Sequence, residues 1–148
     1  MRMLQRLGLL TLGLGLAATV AAAPAVASVV QAEPQPIAWK PPPGVVKLSE
    51  CVPYMGEHWA RQEDWPLGPI YTVDHGRLIA IEYMPSREAL TNGQSWDHLT
   101  FRYQDRPLAI DHANIDLMPH GHEGYEVPHY DMHFYVVTRE VERAITCH

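Results

Sequence analysis

The stretch Pro69-Ile70-Tyr71-Thr72-Val73-Asp74-His75-Gly76-Arg77-Leu78-Ile79-Ala80-Ile81-Glu82-Tyr83-Met84 decides the fold, because it carries the clearest structural signal in the chain. Two runs rich in β-branched and aromatic residues flank His75-Gly76, which suits a tight turn. The pattern predicts a β-hairpin with strands over 69–74 and 77–84. Glu82 interrupts an otherwise apolar strand, where an unpaired carboxylate is costly to bury. We therefore expect Glu82 to meet a metal ion, an arginine or a histidine, or to lie at a strand end open to solvent.

A second strand is predicted over 129–137, in a part of the chain that is rich in histidine and acidic residues. Alternation places His129, Asp131 and His133 on one face. Imidazole and carboxylate groups in this pattern are typical of a transition-metal site, although antiparallel sheets commonly have a solvated polar face as well. His129 and His133 would stand about 13 Å apart on a regular strand, so both reach one ion only if the strand bulges or bends. Asp131 is therefore the better partner for His133 by spacing.

Two further segments supply possible ligands. His120-Gly121-His122 lies in a predicted loop, and an H-x-H pair can chelate an ion or remain exposed. His58, in Gly56-Glu57-His58-Trp59, is distant in sequence and is otherwise an ordinary packed or surface histidine. The predicted first-choice metal ligands are His58, Glu82, His129 and His133, and the second choices are Asp131, His120 and His122. Asp131 would orient an imidazole from behind the metal ligands.

The expected cofactor is a transition metal, zinc or copper. Zinc suits histidine and carboxylate ligands, whereas Met118 and Met132 near the cluster favour copper. The sequence contains no glycine-rich phosphate loop, no G-x-S-x-G and no H-E-x-x-H motif that would indicate a particular reaction.

The remaining elements predict an α+β domain around an antiparallel sheet. Ser86 is a helix N-cap residue and Gly93 a stop signal, so 86–92 is expected to form a two-turn helix. Thr138 can cap a last helix that runs to about residue 146. Further strands are expected at 45–48, 97–103 and 108–117, irregular or short helical structure at 53–65, and a loop at 119–128.

The ends of the chain indicate export. Residues 1–27 have the basic start, apolar run and small-x-small cleavage pattern of a signal peptide, and the apolar run is too short to favour a permanent membrane span. Prolines at 34–43 predict an extended arm over 28–44, ahead of a single domain over 45–148. The expected location is periplasmic or extracellular. Cys51 and Cys147 then predict a disulfide between the ends of the domain, with metal binding by both thiols as the alternative.

The net charge of −6 excludes some partners. An acidic chain with scattered lysines and arginines is a poor candidate for binding nucleic acid or an anionic bilayer. After removal of the leader we expect no stable membrane insertion, and the sequence identifies no small-molecule ligand.

Four segments of the chain together indicate a family. They are Cys51-Val52-Pro53-Tyr54-Met55-Gly56-Glu57-His58-Trp59, Gly68-Pro69-Ile70-Tyr71, Gly76-Arg77-Leu78-Ile79-Ala80-Ile81-Glu82-Tyr83-Met84 and, most specifically, Pro128-His129-Tyr130-Asp131-Met132-His133-Phe134-Tyr135. With these segments the chain resembles a family of small exported bacterial domains of unknown function, whose representative is a stress-regulated, ring-forming Thermus protein. The resemblance covers nearly the whole domain from about Val45, and it implies an exported α+β domain and a possible homo-oligomer. It implies neither a reaction nor a set of metal ligands.

Three functions fit these features. The first is an exported domain that binds a transition metal through a His/Glu cluster. The second is a metal-dependent hydrolase or oxygenase, which would need an open coordination position in a concave pocket. The third is a non-catalytic oligomeric envelope or stress protein whose histidines bind nothing, or titrate as a pH sensor.

Overall fold

The predicted hairpin lies inside a seven-stranded antiparallel sheet. The computed structural model describes residues 36–148; the predicted leader and the start of the proline-rich arm lie outside the described residues. The elements are β1 (Ile37–Ala38), β2 (Val46–Lys47), β3 (Glu57–Ala60), a 3₁₀ turn (Gln62–Asp64), β4 (Ile70–Asp74), β5 (Arg77–Tyr83), α1 (Arg87–Thr91), β6 (Arg102–Tyr103), β7 (Arg106–Pro107), β8 (His112–Met118), β9 (His129–Tyr135) and α2 (Arg139–Arg143).

The sheet is ordered β2-β3-β4-β5-β9-β8, and β1 pairs with the start of β5. The hairpin of β4 and β5 is confirmed, with His75 and Gly76 both at positive φ in the turn. Strands β6 and β7 form a separate two-stranded ribbon. The fold is therefore α+β and mainly antiparallel, as predicted, with two short helices.

Strand β9 is confirmed, and its polar face is the buried one. Residues along it alternate between buried and partly exposed positions, and His129, Asp131 and His133 are on the buried side. The alternative of a solvated polar face is therefore wrong for this strand. Other side chains cover this face, among them Tyr125, whose ring centroid is 4.5 Å from that of His129.

Three sequence-based element predictions need correction. The segment 53–65, predicted to be irregular or short helical structure, has a 3₁₀ turn at Gln62–Asp64 but also contains strand β3, which pairs with β4. Of the strand expected over 97–103, only Arg102–Tyr103 forms. The strand expected from 108 begins at His112. In each case pairing with a neighbouring strand, rather than local propensity, determines where the strand lies.

Both helices occur where expected, and the second is shorter than predicted. The Ser86 hydroxyl accepts a hydrogen bond from Ala89 N, at 3.1 Å, and so caps α1. Helix α2 ends at Arg143, and the Thr138 side chain makes no capping hydrogen bond to it. Its Glu142 instead faces the sheet and accepts hydrogen bonds from His112 and Asn114 of β8.

The core lies against the middle of the sheet, and Cys51 and Cys147 pack against it. One buried cluster joins Leu78, Ile79 and Ala80 of β5 to the end of β9 and to Ile145. A smaller cluster of Ala60, Ile70 and Met84 packs against Trp65 and Tyr125. Cys51 and Cys147 form a disulfide that joins residues 96 positions apart. Within residues 36–148 no helix has the length and apolar character needed to cross a membrane.

Candidate metal centres

The sheet register brings three of the predicted ligands together. Glu82 of β5 is directly opposite His133 of β9. His58 of β3 is opposite Thr72, which is opposite Ala80, so His58 and Glu82 lie on the same face, separated by β4 and offset by two residues. We call the group of His58, Glu82 and His133 the sheet centre, because each of its members projects from a strand.

The donor atoms of the sheet centre have the spacing of metal ligands. His133 Nε2 is 3.4 Å from Glu82 Oε1, and His58 Nε2 is 3.5 Å from Glu82 Oε2. Two ligands at ordinary zinc distances and the tetrahedral angle would lie about 3.4 Å apart. All three residues offer donor atoms within 4.8 Å of one another. The distances are longer than good hydrogen bonds and match the edge of a tetrahedral coordination shell.

Ser49 holds the hydrogen of the His58 ring on Nδ1, the ring nitrogen that faces away from Glu82. Its hydroxyl donates to the backbone oxygen of Glu50, at 2.8 Å. The same hydroxyl oxygen is 2.9 Å from His58 Nδ1, so with its one proton already used it must accept from Nδ1–H. His58 Nε2 is then unprotonated and directs its lone pair toward Glu82. This is how a partner behind an imidazole prepares it as a metal ligand.

The other two members of the sheet centre are buried with polar atoms left unsatisfied. Glu82 is 2% exposed and His133 is 0% exposed. Glu82 Oε2 and both ring nitrogens of His133 make no hydrogen bond in the described part of the chain. Buried polar atoms are rarely left without partners, because each costs about 1–3 kcal/mol. A cation bound between these side chains would satisfy Glu82 Oε2 and one ring nitrogen of His133.

Burial also sets the ionisation of these side chains. It lowers the pKa of His58 to about 4, with a smaller contribution from His122, and it lowers the pKa of His133 to about 3, with a smaller contribution from His58. Both rings are therefore neutral at physiological pH, as metal ligands must be. Burial raises the pKa of Glu82 well above its usual range, and the charge of Asp131 raises it further. A cation in the centre would favour the ionised carboxylate and release its proton.

His129 does not join the sheet centre. Strand β9 pairs with β8 without a register shift, so no bulge shortens the distance from His129 to His133. His129 instead meets Asp131 and His122, and we call these three the loop centre after the loop that carries His122. His129 Nε2 is 2.9 Å from Asp131 Oδ1 and 3.1 Å from His122 Nε2. The four first-choice ligands are thus divided between two groups.

The remaining candidates lie elsewhere. His120 is exposed and belongs to neither three-residue group of possible ligands found in residues 36–148. Met132 lies on the opposite face of β9 from His133 and lines a surface depression with Ile115 and Tyr130. Ser49 was not a sequence candidate, and no motif distinguishes it. Its only signal is its position across the β2–β3 turn from His58.

The comparisons with known proteins support the fold. The sequence has no significant match among protein families or among curated proteins. Among solved structures, the chain is similar to the hypothetical protein TTHB210 from Thermus thermophilus, with a TM-score of 0.57 and 23% identity. The match covers 68% of this chain and 93% of that one. This similarity shows a shared fold and agrees with an uncharacterised family.

Proposed function

We propose that this protein is an exported metal-binding domain whose sheet centre binds zinc through His58, Glu82 and His133. The observation that carries the proposal is the convergence of two neutral imidazoles and a carboxylate in a buried place where they leave donor atoms unsatisfied. Such a group is unfavourable on its own and favourable around a cation. Two nitrogens and one oxygen form a ligand set that suits zinc.

The surroundings of the sheet centre favour binding over catalysis. His58 is the most accessible of its members, with 15% of its side chain exposed. Two surface depressions in the described part of the chain are lined by other residues, one by Leu90, Ile115 and Tyr130 and one by Tyr54 and Glu142. A catalytic zinc needs a water or substrate position that opens to a cleft. A retained, slowly exchanging ion therefore fits the sheet centre better than a turnover site does.

The disulfide supports the exported part of the proposal. Cys51 and Cys147 are bonded to each other, which removes both thiols from the set of metal ligands. Disulfides persist in oxidising compartments, where an exported domain would fold. Together with the predicted leader over 1–27, the disulfide suggests a periplasmic or extracellular protein.

Metal analysis of untagged protein tests the proposal directly. Elemental analysis of the secreted chain, after equilibration with zinc and gel filtration, should find zinc in the wild type. Glu82→Gln and His133→Ala should each lose the ion from the sheet centre, because each removes one of three ligands. Circular dichroism of the same samples would show that both variants keep the β-sheet.

His75→Ala is the matched control, since His75 lies at the exposed tip of the β4–β5 hairpin. It removes one imidazole from the same sheet without touching either centre and should leave the zinc content unchanged. Equal zinc content in wild type, Glu82→Gln and His133→Ala would contradict the proposal, as would a wild type that retains none.

A further inference from the structure

In the loop centre, both imidazoles have Nδ1 next to a backbone carbonyl oxygen, on the side of the ring that faces away from the other ligands. In the sheet centre only His58 has such a partner, the Ser49 hydroxyl. His129 Nδ1 is 2.5 Å from the carbonyl oxygen of Val127, and His122 Nδ1 is 3.1 Å from that of Glu123. A carbonyl oxygen can only accept, so each Nδ1 must carry a hydrogen and donate it. A neutral imidazole has one such hydrogen, so in their neutral forms both rings leave Nε2 unprotonated.

These two lone pairs point at each other and at a carboxylate. The Nε2 atoms of His122 and His129 are 3.1 Å apart, and Asp131 Oδ1 is 3.9 Å and 2.9 Å from them, respectively. Three unprotonated donor atoms at such distances repel one another unless a proton or a metal ion lies between them. Asp131 is also buried, with 5% of its side chain exposed, and its Oδ1 has no regular hydrogen bond within residues 36–148. The group has the form of an ion-binding site.

We propose that the loop centre is a second, separate metal site, which takes a divalent transition metal such as zinc through His122, His129 and Asp131. It shares no ligand with the sheet centre, so the two ions would not form a bridged pair. The carbonyl–imidazole arrangement on both histidines is the usual way in which proteins orient metal-binding imidazoles. Full occupancy of the protein would then be two ions per chain.

The two sides of the loop centre differ in accessibility. His129 is fully buried beneath Tyr125, whose ring centroid is 4.5 Å from that of His129. His122 has 38% of its side chain exposed. Three protein ligands leave a fourth tetrahedral position, and it would face solvent on the His122 side. The loop centre is therefore the one that an exogenous ligand such as water, or a chelator, would reach first.

The loop also has a backbone reason to hold His122 in this place. Gly121 lies at φ 71°, and a Cβ there would be 2.4 Å from Tyr125 O. His122 N and Tyr125 N donate to each other's carbonyl oxygens across the turn, at 3.1 Å and 2.9 Å. Only glycine allows this close approach, so the loop is shaped to place His122 over His129.

The test is the zinc stoichiometry of the full secreted chain, measured by elemental analysis and by titration with zinc alone. Wild type should bind two ions per chain, and His122→Ala and Asp131→Asn should each bind one. His58→Ala should also bind one, and the double variant His58→Ala/His122→Ala none. His120→Ala is the matched control, because His120 is exposed in the same loop, and it should bind two.

The outcomes separate this inference from the proposed function. One ion in wild type, lost in His58→Ala and kept in His122→Ala, would overturn the loop centre and leave the sheet centre standing. One ion lost in His122→Ala and kept in His58→Ala would do the reverse. Loss of both ions in His122→Ala, with the fold intact by circular dichroism, would overturn the independence of the two sites. A wild-type protein that binds no zinc would contradict both proposed sites.

Discussion

The sheet centre and the loop centre are built from the same kinds of donor by opposite means. In the sheet centre, three different strands supply one ligand each, and the register of β3, β4, β5 and β9 fixes their separation. In the loop centre, β9 supplies two ligands and the connection between β8 and β9 supplies the third. The first centre is therefore as rigid as the sheet, whereas the second depends on a single turn.

This difference determines how a substitution near each centre should affect zinc binding and stability. Moving a strand backbone that carries a ligand of the sheet centre disturbs strand pairing, so binding and stability should fall together. Disturbing the turn at Gly121 should affect binding while the rest of the fold remains. Elements with few buried contacts open at a lower free-energy cost than core strands do.

The largest effect is expected for Gly56→Ala, at the entry to β3. Gly56 lies at φ 84°, and a Cβ there would be 2.3 Å from Val73 O in the backbone of β4. The added methyl group must push β3 away from β4 or strain the chain, at a cost of roughly 2–5 kcal/mol in the free energy of unfolding. His58 would move with its strand. The free energy of unfolding, measured by urea denaturation, and the zinc content should both fall. Gly76→Ala is the control: a Cβ there meets no atom within 4 Å, and the change should lower the free energy of unfolding by only about 1–2 kcal/mol.

Gly121→Ala is the corresponding change in the loop centre. The loop can shift where a paired strand cannot, so we expect a loss of about 1–2 kcal/mol together with loss of one of two zinc ions. Gly124→Ala is the control, since a Cβ at that position of the same loop meets no atom within 4 Å. A Gly121→Ala protein that still binds both ions would show that His122 does not depend on this turn.

Removing a carboxylate should change stability and zinc binding in opposite directions. In metal-free protein, Glu82→Gln removes a group whose pKa burial raises. Such a group opposes folding increasingly as pH rises above its unfolded pKa of about 4.3. The variant should therefore match wild type near pH 4 and exceed it by roughly 1–3 kcal/mol at pH 8, while losing zinc. Denaturation in the presence of a chelator at several pH values would measure this.

Asp131→Asn gives the contrast between the two centres. Burial raises the pKa of Asp131 too, but His129 and His122 act against that shift. Its gain in metal-free stability at pH 8 should therefore be smaller than that of Glu82→Gln. If Glu82→Gln were less stable than wild type at pH 8 without metal, the Glu82 carboxylate would have to be satisfied by the protein itself.

Strand periodicity accounts for what the sequence could reveal. The alternation in β9 places His129, Asp131 and His133 on one face, and the hairpin signal identifies the strand that carries Glu82. That Glu82 lies directly opposite His133 follows from the pairing of β5 with β9. The same alternation predicted that His129 stays apart from His133 unless β9 bulges. The strand is regular, and His129 has His122 and Asp131 as its partners instead. Spacing along one strand is a local property, which a single sequence contains.

The rest depends on contacts between distant segments. The segment 53–65 around His58 is predicted to be irregular or short helical structure; residues 57–60 form a strand because β4 offers them a pairing edge. The role of Ser49 follows from the path of the turn between β2 and β3, which no residue pattern encodes. The tautomers of His122 and His129 are set by backbone carbonyls, whose positions are likewise invisible in the sequence.

Ser49→Ala should have the smallest effect, and it applies to the sheet centre alone. The change removes the acceptor of His58 Nδ1–H, so the ring can rotate or carry its proton on Nε2, where it blocks the metal. Zinc affinity of the sheet centre should fall by about 10–100-fold, the usual cost of losing such a partner. Competition with a chromophoric chelator would measure it. Ser49→Thr keeps the hydroxyl and should restore the affinity, and the loop centre, where backbone carbonyls do the same task, should be unchanged in both variants. An unchanged affinity in Ser49→Ala would show that strand β3 alone orients His58. The register of the sheet would then be sufficient to position the ligands of the sheet centre.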